Sequence, residues 1–526
     1  MNEENGKQIP KGWAMTAIED LFWPLEDGRT LHQGWSPQCE KTPAPTDEDW
    51  GVLKTTAIQA GAFLPEHNKH LPTGLTPRPQ IEVKSGDLLI TCAGPRVRCG
   101  VACLVRHTRP RLMMSGKMYR FRVSPDHFDP RFLEAFLLTP EATAAIDKMK
   151  TGGSDSGLNL THDRFRPLPV PVAPLREQRR IMDTVEELLS DLDAGESALE
   201  GVRAKLKHYR AAVLKIAVEG TLTADWRAQN PATESAEDLL TRILAKRRNR
   251  WEEAQLKKFQ DQSKEPPKSW KAKYQEPNSP DVASLPKLPD GWCWASLDQL
   301  GKLDRGKSKH RPRDAEFLYG GPYPFVQTGD VRKAKQYLRQ HSQTYSQAGL
   351  QQSRLWPAET LCITIAANIA ETALLAYPAC FPDSIVGVQF PEELVLPRYV
   401  EFFMRHARQR IEAYAPATAQ KNINNEILRV VAVPLPPTDE QRVIVEQVED
   451  HLSVVDHLEA DLEAKLRSAR ALRQSILRDA FKGKLVPQDP DDEPACKLLK
   501  RIAVEREERA KAMKGTKRPG STKRGS

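Results

Sequence analysis

No run of eighteen or so apolar residues occurs in the 526 positions, and Met1-Asn2-Glu3-Glu4-Asn5 lacks the basic and apolar segments of a secretion signal. A membrane span is excluded on these grounds, and a soluble chain inside the cell is expected. Cysteine is present but forms no framework: the eight residues at 39, 92, 99, 103, 293, 362, 380 and 496 give no paired Cys-x-x-Cys and no short loops to staple. Cys99, Cys103 and His107 are evenly spaced, yet Cys103 lies in the apolar stretch from Val101 to Val105, so these cysteines read as small buried hydrophobes and no metal site is expected. Catalytic signatures are missing as well. There is no Gly-x-Ser-x-Gly, His-Glu-x-x-His or Gly-x-Gly-x-x-Gly, and no Asp/Asn-Pro-Pro-Tyr suited to adenine methylation. With no catalytic residue nominated, the chain reads as a binder and not an enzyme.

What is present is a repeat. Pro171, Glu177, Gln178, Arg179, Ile181 and Val185 recur as Pro434, Glu440, Gln441, Arg442, Ile444 and Val448 at one offset, 263 residues from Glu177 to Glu440. The offset persists to Leu214, Ala217, Gly220 and Leu222, which fall on Leu477, Ala480, Gly483 and Leu485. Upstream, Ile9-Pro10-Lys11-Gly12-Trp13 is echoed by Leu288-Pro289-Asp290-Gly291-Trp292. Each half begins alike, varies in its middle and ends alike, as expected of two similar tasks on two different targets. The net charge of +8, from 78 basic and 70 acidic residues, permits an acidic polymer as partner.

The matched ends predict helices. Ile181, Val185, Leu188, Leu192, Leu199, Val202, Leu206, Tyr209, Val213 and Ile216 alternate steps of four and three, with Gly195 in one place, a heptad stripe. The copy runs Ile444, Val448, Val455, Leu458, Leu462, Leu472 and Ile476, interrupted by His451, Lys465 and Ala469. Thr438-Asp439-Glu440-Gln441 fits a capping box at its start. The expected seam is Ile181, Val185, Leu188, Leu192, Leu199 and Leu206 against Ile444, Val448, Val455, Leu458, Leu462 and Ile476. A pseudo-twofold repeat would make the helices antiparallel and place the globular parts at opposite ends of roughly 60 Å of helix. The fold class expected is α+β: two mixed domains and an intramolecular coiled coil of two long antiparallel helices. Its boundaries are a first domain over 1–175, a helix over 176–222, a linker with a docking helix over 223–285, a second domain over 286–437, a helix over 438–486, and a docking helix with a basic tail over 487–526. Leu239-Leu240-Thr241-Arg242-Ile243 and its echo Leu498-Leu499-Lys500-Arg501-Ile502 mark the docking helices.

In the middles, strands are expected over 87–92, 119–123, 360–365 and 384–390, and helices over 130–148 and 397–413. Basic residues cluster in the loops between them, offering Arg and Lys to phosphates and guanine edges and Asn and Gln to adenine. The candidate DNA contacts are Arg96, Arg98 and Lys117 in the first half. In the second they are Lys307, Ser308, Lys309, Arg311, Thr328, Asn368, Gln420, Lys421 and Asn422. One alternative is a nucleotide-binding loop, because Gly301 to Ser308 satisfies Gly-x-x-x-x-Gly-Lys-Ser; the next residues, Lys309-His310-Arg311-Pro312, make a poor helix start. Another is a plain coiled-coil scaffold without sequence-dependent DNA affinity.

The Pro-Gly-Trp-type start of each half, the block from Val433 to Ile444 with its twin from Val170 to Ile181, and the exits at Gly220 and Gly483 resemble the DNA specificity subunit of type I restriction-modification systems. Phe381 to Gly387 and Gln420 to Asn424 also look like stretches of that family's target recognition domains. The resemblance implies two target recognition domains, each reading half of a bipartite site in double-stranded DNA, with the helices fixing the unread spacer. It implies two modification subunits that methylate adenine N6 from S-adenosylmethionine and, where present, restriction subunits that use ATP and Mg. No cofactor is expected in this chain itself, and its place would be the cytoplasm of a prokaryote, on the nucleoid through DNA. The first domain departs from the pattern, with Gly152 to Asn159 where the second has Lys421 and Asn422.

Overall fold

The computed structural model describes residues 2–4, 7–310, 312, 314–366, 368–413 and 423–515. It divides into two compact units, residues 1–200 with 463–526, and residues 201–462. Among the described residues no helix is long and apolar enough to cross a membrane.

In the first unit a four-stranded antiparallel sheet runs in the order Ala102–Leu104, Leu88–Thr91, Met118–Phe121, His32–Gln33. In the second the order is Thr372–Leu375, Leu361–Thr364, Ile385–Gln389, Lys302–Arg305, with Tyr337–Leu338 added in parallel at the Thr372 edge. Leu-Leu-Ile-Thr and Leu-Cys-Ile-Thr, the two central strands, are buried at every position. Such strands lose the alternation of a half-solvated sheet because both faces are covered. A two-stranded ladder also recurs, Ala14–Ala17 with Pro169–Val172 and Cys293–Ser296 with Ala432–Leu435. The remaining parts are unlike. The first unit carries a three-stranded sheet over Leu112–Met113, Gly51–Leu53 and Asn68–His70, and the second a hairpin of Tyr319–Phe325 with Gln343–Tyr345. The helix expected over 130–148 is two, Pro130–Leu137 and Pro140–Met149. Pro140 has no N–H to continue the first, and Thr139 caps the second by accepting from the Ala142 N–H at 3.2 Å.

The long helices, Leu175–Val218 and Thr438–Phe481, have 44 residues each. In the first unit Arg473 pairs with Asp193 and with Glu196 at 3.8 Å. In the second Arg210 pairs with Asp456 at 2.5 Å and Glu459 at 3.1 Å. Every member of one set maps onto the other by the 263-residue offset, and in each unit an early stretch of one helix meets a late stretch of the other, so they are antiparallel there.

The stripe differs from expectation by one residue per heptad. Leu188 and Leu458 are exposed, at 38% and 45%, and Val202, Tyr209 and Leu472 are exposed with them. The inward positions are Leu189, Glu196 and Arg210 in the first helix and Leu452, Glu459, Leu466 and Arg473 in the second, together with Ile181, Val185, Leu192, Leu199, Leu206, Ile444, Val448, Val455, Leu462 and Ile476. Both phases repeat every 3.5 residues, so counting apolar residues picks the outer leucines. The true phase admits Glu and Arg, whose stems line the seam while their charges pair across it.

The expected capping box is absent. Thr438 Oγ1 donates to the Leu394 carbonyl at 3.1 Å, and buried Gln441 donates to the Pro436 carbonyl at 3.0 Å and accepts from the Leu396 N–H at 2.9 Å. Gln178 does the same in the first unit, accepting from the Asp129 N–H at 3.0 Å and donating to the Ala173 carbonyl at 2.8 Å. Each glutamine satisfies buried backbone that would otherwise be orphaned, which outweighs capping its own helix.

The helices expected to dock partners turn their marker residues inward. Ala236–Asp261 buries Leu239 and Ile243 in the core of the second unit, and Ala495–Gly515 buries Leu498 and Ile502 in that of the first. Matching backbone bonds start them, Ala236 N–H to Gly291 O at 3.0 Å and Ala495 N–H to Gly12 O at 2.8 Å. The outer faces of these helices are charged.

Candidate nucleic-acid interface

Each head is fixed to its long helix by a buried tryptophan–glutamate bond. Trp13 Nε1 donates to Glu177 at 3.0 Å, and Trp292 Nε1 to Glu440 at 2.8 Å. Thr223 Oγ1 and Arg227 also donate to Glu440, both at 2.6 Å. Burial pushes the Glu177 carboxyl above its ordinary value against the pull of the Trp13 bond. The glycines leaving the helices close against the same frame: a Cβ on Gly220 would stand 2.6 Å from Pro289, and one on Gly483 2.5 Å from Pro10, and both residues have positive φ.

From this frame the central strand of each sheet delivers a loop held by a threonine. Thr91 Oγ1 accepts from the Val101 N–H at 2.9 Å and bonds the Arg98 carbonyl; Thr364 Oγ1 accepts from the Glu371 N–H at 3.0 Å and bonds the Asn368 carbonyl. The backbone repeats too, Gly100 N–H to Thr91 O at 2.7 Å and Ala370 N–H to Thr364 O at 2.8 Å. A neighbouring segment is tied to each loop by Leu160 N–H to Cys92 O at 2.8 Å and Ile423 N–H to Ile365 O at 3.1 Å. Two otherwise dissimilar heads therefore present one loop built the same way. The sequence carries the signal, Leu-x-Ile-Thr-x-Ala at 88–93 and 361–366.

In the first unit the expected contacts Arg96 and Arg98 lie in that loop, but both are engaged within the chain. Arg96 sits between Asp147 at 2.7 Å and Asp155 at 3.0 Å, and the Asp155 bond holds its guanidinium more firmly charged. Asp147, bonded first to Lys150 and then to Arg96, is held below the usual carboxylate range. Arg98 turns inward, donating to the Ile58 carbonyl at 2.6 Å, the Thr55 carbonyl, and Gln59 at 3.2 Å. Lys117 is exposed at the root of the loop, where its carbonyl accepts from the Cys92 N–H at 2.8 Å. Between the two arginines Val97 is 81% exposed. Cys103 and Cys92 lie in different core clusters, and burial pushes each thiol up to about 12, so neither is a thiolate at neutral pH.

In the second unit the stretch resembling a nucleotide loop is a strand, Lys302–Arg305, followed by an extended turn and no helix. No helix N-terminus faces a phosphate there, and the nucleotide-binding reading falls. The turn is held by Gly306 N–H to Ile385 O at 2.9 Å, Lys307 N–H to Phe381 O at 3.0 Å, and Gln352, whose amide oxygen accepts from Lys309 N–H at 2.6 Å. Ser308 is buried against the Tyr345 hydroxyl at 3.4 Å, inside and not on the surface. Lys307 and Lys309 are exposed. Thr328 opens a six-residue helix, and Asn368, in the threonine-held loop, accepts from Arg332 at 3.2 Å. Arg311, Gln420, Lys421 and Asn422 lie outside the described residues. Arg332 and Gln352, missed in the sequence, orient Asn368 and Lys309; no local pattern marks them, because their partners come from distant segments.

Residues 289–468 match a family model described as the type I restriction modification DNA specificity domain. The EcoKI type I restriction enzyme specificity subunit of Escherichia coli K12 is 24% identical over 537 residues, taking in 95% of this chain and 96% of that one. The chain is similar to a type I specificity subunit over nearly its whole length. The EcoEI specificity subunit of Escherichia coli is 32% identical over 217 residues, which span 41% of this chain and only 36% of that relative. A solved structure described as the basis of complex assembly and conformational transition of the type I R-M system shares the fold, with a TM-score of 0.58 at 15% identity over 91% of this chain and 100% of that one.

Proposed function

We propose that this chain acts as a specificity subunit that reads a bipartite target in double-stranded DNA, one half-site by each head, and positions partner subunits that methylate adenine N6. The observation that carries the reading is the doubled frame: the same Trp–Glu bond, the same glutamine brace and the same threonine-held loop support heads whose remaining parts differ. A single shared task would not need unlike heads, and a mere scaffold would not need heads at all. In the first unit the reading face offers Lys117 to phosphate and the loop carrying Val97 to base edges. In the second, Lys307 and Lys309 take the phosphate role and the Arg332–Asn368 pair the base role. The helices set the distance between half-sites. S-adenosylmethionine, and ATP and Mg where restriction subunits join, belong to partners that contact the helix pair and the outer charged faces of Ala236–Asp261 and Ala495–Gly515.

The test is to map N6-methyladenine across DNA from cells carrying this chain with its modification partner. Two short specific half-sites at one fixed spacing are expected. A single contiguous motif, or methylation without sequence choice, would contradict the reading.

A further inference from the structure

We infer that Val97 is a base-reading residue of the first head, making apolar contact with the C5 methyl group of a thymine in its half-site; the inference rests on the proposed reading of DNA by that head. Among the described residues Val97 is the most exposed large apolar side chain, at 81%, ahead of Val454 at 59% and Phe317 at 58%. A single exposed valine is ordinary. What sets this one apart is its mounting. The turn is closed by Arg98 N–H to Pro95 O at 2.8 Å and Cys99 N–H to Pro95 O at 3.0 Å, and its root by the Thr91 lock. Arg96 on one side is anchored by Asp147 and Asp155, and Arg98 on the other by the carbonyls of residues 55 and 58. The two cations that would themselves suit DNA act as struts, and the side chain they carry forward is the valine.

Ordering a loop costs conformational entropy, so an order imposed on an exposed apolar tip calls for a use. The occupant is set by size and setting. Lys117 stands exposed at the loop's root, as phosphate contact requires, and the thymine methyl is the one apolar group at the edge of a base pair in the major groove. Wedges that part base steps are usually longer, Phe, Leu or Met, whereas valine presents two methyls close to the backbone.

The experiment measures binding of the complex of this chain with its modification partner to duplexes carrying its mapped motif, replacing each thymine in turn by deoxyuridine, which removes only the methyl. One position, in one half-site, is expected to weaken wild-type binding roughly fourfold, the value of one buried methyl. Val97→Ala should be weaker on the natural duplex and indifferent to that replacement, with an unchanged melting temperature. If no replacement distinguishes wild type from Val97→Ala, or if all lower both equally, the inference is overturned. If the wild-type complex binds no sequence preferentially, it is the reading beneath it that has failed.

Discussion

Glu177 and Glu440 occupy the same place in the repeat and live in different electrostatic surroundings. Glu440 accepts from Trp292, Thr223 and Arg227, so Glu440→Ala leaves a buried indole N–H, a hydroxyl and a guanidinium without their acceptor. A loss of about 3–5 kcal/mol is expected in urea unfolding, confined to the transition of the second unit if the two units melt separately. Glu177 has its carboxyl raised by burial. A raised carboxyl favours the folded state fully below its unfolded value and loses that advantage as pH rises through its folded value. Glu177→Gln keeps an oxygen for Trp13 and cannot ionise, so its stability relative to wild type should climb between pH 4 and 7; a flat difference would mean that the burial is compensated. Both glutamates were visible in the sequence as members of the repeat. Their tryptophan partners were visible only as separate echoes, because nothing local says that residues 164 or 148 positions apart meet. Arg96 and Arg98 show the converse: composition reveals a cation, whereas the acid or carbonyl it faces comes from the fold.

Among the elements, the long helices were legible in extent, and their inward face was displaced by one residue in each heptad. Leu452 and Leu458 separate the two phases. Leu452 is 2% exposed and belongs to the core of the second unit, while Leu458 is 45% exposed. Leu452→Ala should cost about 2–4 kcal/mol and Leu458→Ala less than about 0.5 kcal/mol by thermal or chemical unfolding. Equal losses would return the seam to the phase read from apolar residues alone. The reason for the displacement is physical: at Glu196, Arg210, Glu459 and Arg473 the seam is filled by charges that neutralise one another across it, and an apolar count passes over them. Such pairs contribute little each at an exposed seam, roughly 0–1 kcal/mol, and serve mainly to fix register.

For the molecule as a whole, the repeat in the sequence is a repeat of the frame in space within each unit, down to the start of the Ala236–Asp261 and Ala495–Gly515 helices. Two strands of each sheet were legible, Leu88–Thr91 with Met118–Phe121 and Leu361–Thr364 with Ile385–Gln389, whereas their neighbours, Lys302–Arg305 among them, were not; nor was the three-stranded sheet around Gly51–Leu53, whose strands are two or three residues long. We propose that the helix pair sets the distance between two half-sites. Arg203 and Leu466 are related by the 263-residue offset, so one heptad inserted after each lengthens both helices at matching places in the repeat. Seven residues add about 10 Å of helix, about three base pairs of DNA. Mapping N6-methyladenine in cells carrying the doubly lengthened chain and its modification partner should return the same two half-sites with about three more base pairs between them. The original spacing, retained with undiminished methylation, would mean that the helices do not set it.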